Sequence, residues 1–139
     1  MLTEKDYCDY ETCVALKKLG FSEPTLAYYH GFLPSKPLLY LVIDEDCMPE
    51  DGVNVFDLLS NSNKYKDSKN IDAPTLWEAQ KWLREEREIN ISPVYLFTDW
   101  GCVIKTPKYG DLIESHSSYE EALLEGIKEA VNILKEEVR

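Results

Sequence analysis

Histidine is scarce, glycine is sparse and cations are outnumbered: the 139 residues hold two His, six Gly, and 15 Lys and Arg against 26 Asp and Glu. Each shortage excludes something. A net charge of -11 opposes binding to nucleic-acid backbones, which rests on Lys and Arg replacing counterions, and opposes an anionic membrane surface. The few glycines form neither GxGxxG nor GxxxxGK[ST], so the chain offers no recognisable phosphate cradle. No apolar run approaches the length needed to span a bilayer: the longest aliphatic or aromatic run is residues 38–43, LLYLVI. The opening MLTEKDYCDYE has no apolar signal-peptide core. These features predict a cytoplasmic protein without a membrane partner and without direct nucleic-acid binding.

Cysteine and histidine are present in the wrong arrangement for catalysis or metal binding. Cys8, Cys13, Cys47 and Cys102 read as reduced structural thiols, because nothing marks an oxidising compartment and the chain is long enough to bury them. Cys8 and Cys13 have four intervening residues and no second pair at finger spacing, which argues against zinc. With His30 and His116 the thiols supply the types of a Cys–His nucleophilic pair, but none sits in a recognisable nucleophile context. The acidic stretch 44–51, DEDCMPED, invites calcium, yet after Asp44 and Asp46 the next alternate position is Met48, which offers no oxygen. It reads as a solvated acidic loop. No catalytic residue, cofactor or metal is expected.

The pattern that is present predicts one α+β domain over residues 1–139, in the order α-β-β-α-β-β-β-α, with a mainly antiparallel sheet packed by helices. A mobile acidic and polar insert is expected at about residues 44–72, its loop core being 60–70, SNSNKYKDSKN, where no periodicity survives. Ahead of that loop, residues 53–59 read as a short apolar turn or strand.

The central segment is residues 75–91, TLWEAQKWLREEREINI. Thr75 with Glu78 has capping-box spacing, and Pro74 sits just outside the helix. At about 100° per residue Leu76, Ala79, Trp82 and Leu83 share one face, and Trp77 points away from it. Ile89 and Ile91 then switch to a two-residue period that continues through Val94, Tyr95, Leu96 and Phe97, so a strand follows. Pro93 makes that strand an edge, or one bulged or interrupted at that point. Asp99, Trp100 and Gly101 read as a hairpin turn into residues 102–105, and 107–110 as a second turn into 112–115.

Around this centre, Asp9 or Thr3 caps a first helix ending at Leu19. Gly20 suits the left-handed position after it, with Phe21 closing on Leu16. Residues 25–30 and 38–43 form a hairpin whose second strand, continuously apolar, is expected to be central. Ser118 and Glu121 repeat the capping-box spacing and open a last helix with Tyr119, Ala122, Leu123, Gly126, Ile127, Ala130, Val131 and Leu134 on one broad face. The small residues Ala122, Gly126 and Ala130 predict a close approach of another backbone, that of the chain's own sheet rather than a second subunit, since that face already requires an internal partner. The halves begin alike, and Ala15 and Leu19 match Ala79 and Leu83 in spacing.

The segments TLWEAQKWLRE (75–85), the INI that follows, SYEEALLEGIKEA (118–130) and DYETCVALKKLGF (9–21) together resemble a family of small uncharacterised bacterial proteins associated with phages and mobile elements. They span roughly a third of the chain, and residues 44–70 lie outside the resemblance. No activity is assigned to that family, so the resemblance implies a bacterial setting and transfers no site residues.

The expected function is therefore a small non-enzymatic binding or accessory protein that engages a protein partner or itself. Its candidate interaction surface is Trp77, Tyr95 and Trp100. Tyr28, Tyr29 and Tyr40 also lie on predicted strands. The competing readings are an enzyme or small-ligand sensor whose tyrosines and carboxylates converge only in three dimensions, and an acidic mimic of nucleic acid.

Overall fold

Most helix ends here are set by local chemistry. The structure, a computed structural model, describes residues 3–30, 39–41 and 70–137. The Asp9 carboxylate accepts the Thr12 N–H at 2.9 Å and starts helix α1 (Tyr10–Lys18). Thr3 caps a separate 3-10 turn, Glu4–Asp6, whose Asp6 carboxylate accepts the Thr3 N–H at 2.8 Å. Helix α1 closes in a Schellman motif: Gly20 takes φ 103°, the Phe21 N–H donates to the Leu16 carbonyl at 2.9 Å, and the Gly20 N–H to that of Lys17 at 3.1 Å. Leu16 and Phe21, the apolar pair of that motif, are both buried.

Strand β1 (Ala27–His30) pairs antiparallel with β2 (Leu39–Leu41), Ala27 facing Leu41, so the expected hairpin forms. On its other side β1 pairs antiparallel with β3 (Asn70–Asp72), Tyr29 facing Ile71. The strand order β2-β1-β3 corrects one expectation: among the described residues β1, not the apolar run at 38–43, is the middle strand. Continuous apolarity reports burial on both faces, not which strand lies between the others. Three-residue β3 is too short to show a period-two pattern, and it turns the last residues of the expected insert, 70–72, into sheet. Helix α1 packs on β3, and Tyr10 meets Tyr29 edge to face at 5.6 Å between ring centres. The rest of the expected insert up to residue 69, with Cys47, the acidic loop 44–51, the segment 53–59 and the β1–β2 turn, lies outside the described residues.

Helix α2 (Leu76–Arg87) starts in the expected capping box. The Thr75 hydroxyl accepts the Glu78 N–H at 3.2 Å, and the Glu78 carboxylate accepts the Thr75 N–H at 2.9 Å. Its buried residues are Leu76, Ala79, Trp82 and Leu83, the predicted stripe. The helix ends at Glu88, which takes the left-handed conformation (φ 57°) while the Ile89 N–H bonds back to the Leu83 carbonyl at 3.0 Å. No glycine marks this stop. Ile89 is buried, and drawing it inward outweighs the roughly 1–2 kcal/mol that a left-handed non-glycine residue costs.

A three-stranded antiparallel meander follows: β4 (Asn90–Tyr95), β5 (Trp100–Lys105) and β6 (Gly110–His116), in the order β4-β5-β6. Pro93 thus lies on an edge strand, as its missing N–H requires. The final helix α3 (Tyr119–Glu137) packs across β4 and β5 and also against β6 and α2. Its expected face is buried from Ala122 to Leu134, with Tyr119 partly exposed. Gly126 presses on the chain's own sheet, as expected, but what it meets are the side chains of Cys102 and Ile91 rather than the expected backbone.

The chain is thus an α+β fold in the expected order, with the short β3 added before the second helix. Its residues group into two compact units, Asp9–Pro74 and Met1–Cys8 with Thr75–Arg139.

Candidate functional site

The β4–β5 hairpin is tied at its tip by a main-chain bond, Leu96 N–H to the Asp99 carbonyl at 2.8 Å. The turn is therefore residues 96–99. Trp100 and Gly101, expected in the turn, instead open β5, with Trp100 directly opposite Tyr95. The displacement follows from Phe97, which adopts φ 74° where a glycine or asparagine would be at ease. Its carbonyl accepts a hydrogen bond from the Tyr95 hydroxyl at 2.6 Å. The Phe97 ring is 89% exposed, the most open large apolar side chain among the described residues.

Behind the tip, Tyr95, Trp100 and His116 form one rung across the three strands. A bulge in β6, where Ser115 takes φ 72°, restores the register that places His116 beside Trp100. Tyr95 is 62% exposed and its ring lies 5.3 Å from that of Trp100. Trp100 in turn meets Tyr119, in the first turn of α3, edge to face at 5.5 Å. Such pairs add about 0.5–1.5 kcal/mol each beyond area burial, and Tyr95, Trp100 and Tyr119 together form an aromatic platform.

The α3 start fixes the far end of the rung. The Ser118 hydroxyl accepts the Glu121 N–H at 3.1 Å, giving the expected cap. The Glu121 carboxylate reaches Ser117 rather than Ser118: it accepts from the Ser117 hydroxyl and backbone N–H, and lies 3.7 Å from His116 Nδ1. The Ser117 hydrogen bond is the main reason the Glu121 carboxyl titrates below its ordinary value, with the neighbouring imidazole adding to it. His116 Nε2 is buried without a hydrogen-bond partner.

This trio holds the residue types of a hydrolytic triad in the wrong order. A triad places imidazole between serine and carboxylate, whereas here the carboxylate accepts the serine's hydrogen bond directly. The thiols are no more reactive. Cys8, Cys13 and Cys102 are buried, and burial pushes the Cys102 thiol up to about 11 despite a hydrogen bond from the Ser92 backbone. No group of three or more His, Cys, Asp or Glu side chains among the described residues converges to hold a metal ion, and no described helix is long and apolar enough to cross a membrane. A cavity of about 260 Å³ opens beside the end of α2, where Arg87 and Lys108 are mixed with Glu88 and Glu137. Arg87 also lies over the Trp82 ring at 5.6 Å.

Of the sequence-predicted surface residues, the fold brings Tyr95 and Trp100 together. Trp77 is exposed as predicted, at 38%, but stands in the first turn of α2 outside this cluster. Sequence reasoning missed Phe97, Tyr119 and His116 as companions. Phe97 reads as the end of a strand, and only the polar pair Thr98–Asp99 hints that the turn begins ahead of Asp99. Comparison of the chain with protein-family models, curated proteins and solved structures gives no match.

Proposed function

We propose that this protein is a small non-enzymatic binding protein whose β4–β5 hairpin tip docks into an apolar pocket of a protein partner, Phe97 being the inserted anchor. One observation carries the reading: a bulky aromatic residue is held in left-handed backbone geometry and almost fully in solvent. That arrangement costs the fold about 1–2 kcal/mol and returns no packing. A side chain kept on such terms is explained by contacts made outside the chain. The Tyr95–Trp100–Tyr119 platform supports the same reading, because interface anchors are enriched in Tyr and Trp and gain from being rigid before binding. The resemblance of the helical segments to phage-associated and mobile-element-associated bacterial proteins fits an accessory role in the cytoplasm of such a host.

The test exploits the opposed demands on Phe97. Phe97→Gly removes the anchor and relieves the backbone, so the variant should be at least as stable as the native protein in urea unfolding while losing a stoichiometric partner in quantitative co-purification. Retention of that partner by Phe97→Gly refutes docking through the tip. A destabilised Phe97→Gly would show instead that the ring serves the fold.

A further inference from the structure

The chain segments that build the tip carry Asp and Glu but no Lys or Arg. From Glu88 to Ile104 the chain has no Lys or Arg, and from Tyr109 to Ile127 it again has none, while Asp99, Asp111, Glu114, Glu120, Glu121 and Glu125 fall within those stretches. The fold gathers several of these at the aromatic end of the sheet. Asp99 closes the hairpin turn, Glu114 precedes the β6 bulge beside the rung, and Glu120 lies in the first turn of α3 next to Tyr119. Glu121 is engaged by Ser117 and His116, and Asp99, Glu114 and Glu120 are further carboxylates on the turn, strand and helix start that carry the platform. The cations that bound this region, Arg87, Lys105, Lys108 and Lys128, lie beyond the ends of the two stretches.

We infer that the tip recognises a cationic protein surface, one that presents Lys or Arg side chains around an apolar pocket for Phe97. This rests on the docking reading above and specifies its partner. Complementary charge steers encounter and suppresses wrong partners, and a guanidinium or ammonium finds aromatic faces on Tyr95 and Trp100 as well as carboxylates. The same charge disfavours a second copy of this chain as occupant, because a symmetric contact would set carboxylate against carboxylate. A net charge of -11 makes that repulsion general.

The experiment uses the full chain and two short synthetic peptides as probes, one alternating Lys with Leu and the other Glu with Leu, with binding read by fluorescence anisotropy at low salt. The Lys–Leu peptide should bind and the Glu–Leu peptide should not. Phe97→Gly should weaken the Lys–Leu complex by about tenfold or more, the effect of losing one anchor. The triple variant Asp99→Asn, Glu114→Gln, Glu120→Gln should weaken it severalfold and flatten its dependence on salt. Absence of Lys–Leu binding, equal binding of the two peptides, or full affinity in the triple variant overturns the cationic partner. A cellular partner lost from Phe97→Gly but retained by the triple variant would leave docking through the tip standing and remove only the charge requirement.

Discussion

Gly126 on α3 and Cys102 on β5 approach so closely that a methyl group on the glycine would overlap the thiol and meet Ile91 Cγ2 at 2.6 Å. The small residue lets the helix settle on the sheet, and that seating carries the layer on which the aromatic rung is built. Gly126→Ala should therefore destabilise the protein by about 1–3 kcal/mol through overpacking, although alanine in an open helix would gain about 1 kcal/mol. Combining it with Cys102→Ala should recover part of the loss, measurable as coupling in a double-mutant cycle. A stabilised Gly126→Ala would mean that the sheet yields freely.

Leu83 is fully buried on the predicted stripe of α2. Leu83→Ala should cost about 2–5 kcal/mol in urea unfolding. A loss below roughly 1 kcal/mol, the size of an ordinary surface change, would contradict its place in the core.

The reciprocal cap at Thr75 and Glu78 joins two main-chain donors to side-chain acceptors. Thr75→Ala should reduce stability by about 1 kcal/mol. Thr75→Ser, which keeps the oxygen, should restore most of it. Equal losses from both would assign the effect to packing of the buried methyl group rather than to the cap.

The Cys102 thiol titrates at about 11 because the folded protein shields it, so the folded state favours the protonated form. The sign follows directly. Its contribution is complete below the unfolded value near 9 and is lost as pH rises towards 11. Tyr7 acts in the same sense, its hydroxyl raised by burial first and then by the carboxylates of Glu78 and Asp6. Stability should fall at alkaline pH, and Cys102→Ala should lessen the slope between pH 9 and 11. An unchanged slope would remove Cys102 from the account.

At the acid end the sign reverses. Glu121 titrates below its ordinary 4.5, so its contribution is present above that value and is lost as pH drops through the lower folded value. Carboxyl titration by NMR should find Glu121 among the more acidic glutamates, and Ser117→Ala should move it back towards 4.5. No movement would show that the Ser117 hydroxyl is not the cause.

The two halves look alike in sequence, each opening with a helix and then a hairpin. Their described sheets differ in topology. In one the first strand in sequence lies in the middle, and in the other the second does. The matched spacing of Ala15 and Leu19 with Ala79 and Leu83 therefore reflects two helices that bury an apolar face, which is a common requirement.

The sequence by itself determined the helix starts at Thr75 and Ser118, the Gly20 stop and the α2 stripe, and it narrowed the first helix start to Asp9 or Thr3 and the Pro93 strand to an edge, bulged or interrupted one. Each depends on groups three or four residues apart, or on one residue's missing donor, so the chain states them locally. Tertiary structure decided the rest. It placed β3 beside β1, put Glu88 and Phe97 in left-handed backbone without glycine, and set Tyr95, Trp100 and His116 in one rung beside Tyr119. Those outcomes depend on strand register and on burial of residues distant in sequence, such as Ile89 against the helix layer, and these energies exceed the local preferences that the sequence pattern records.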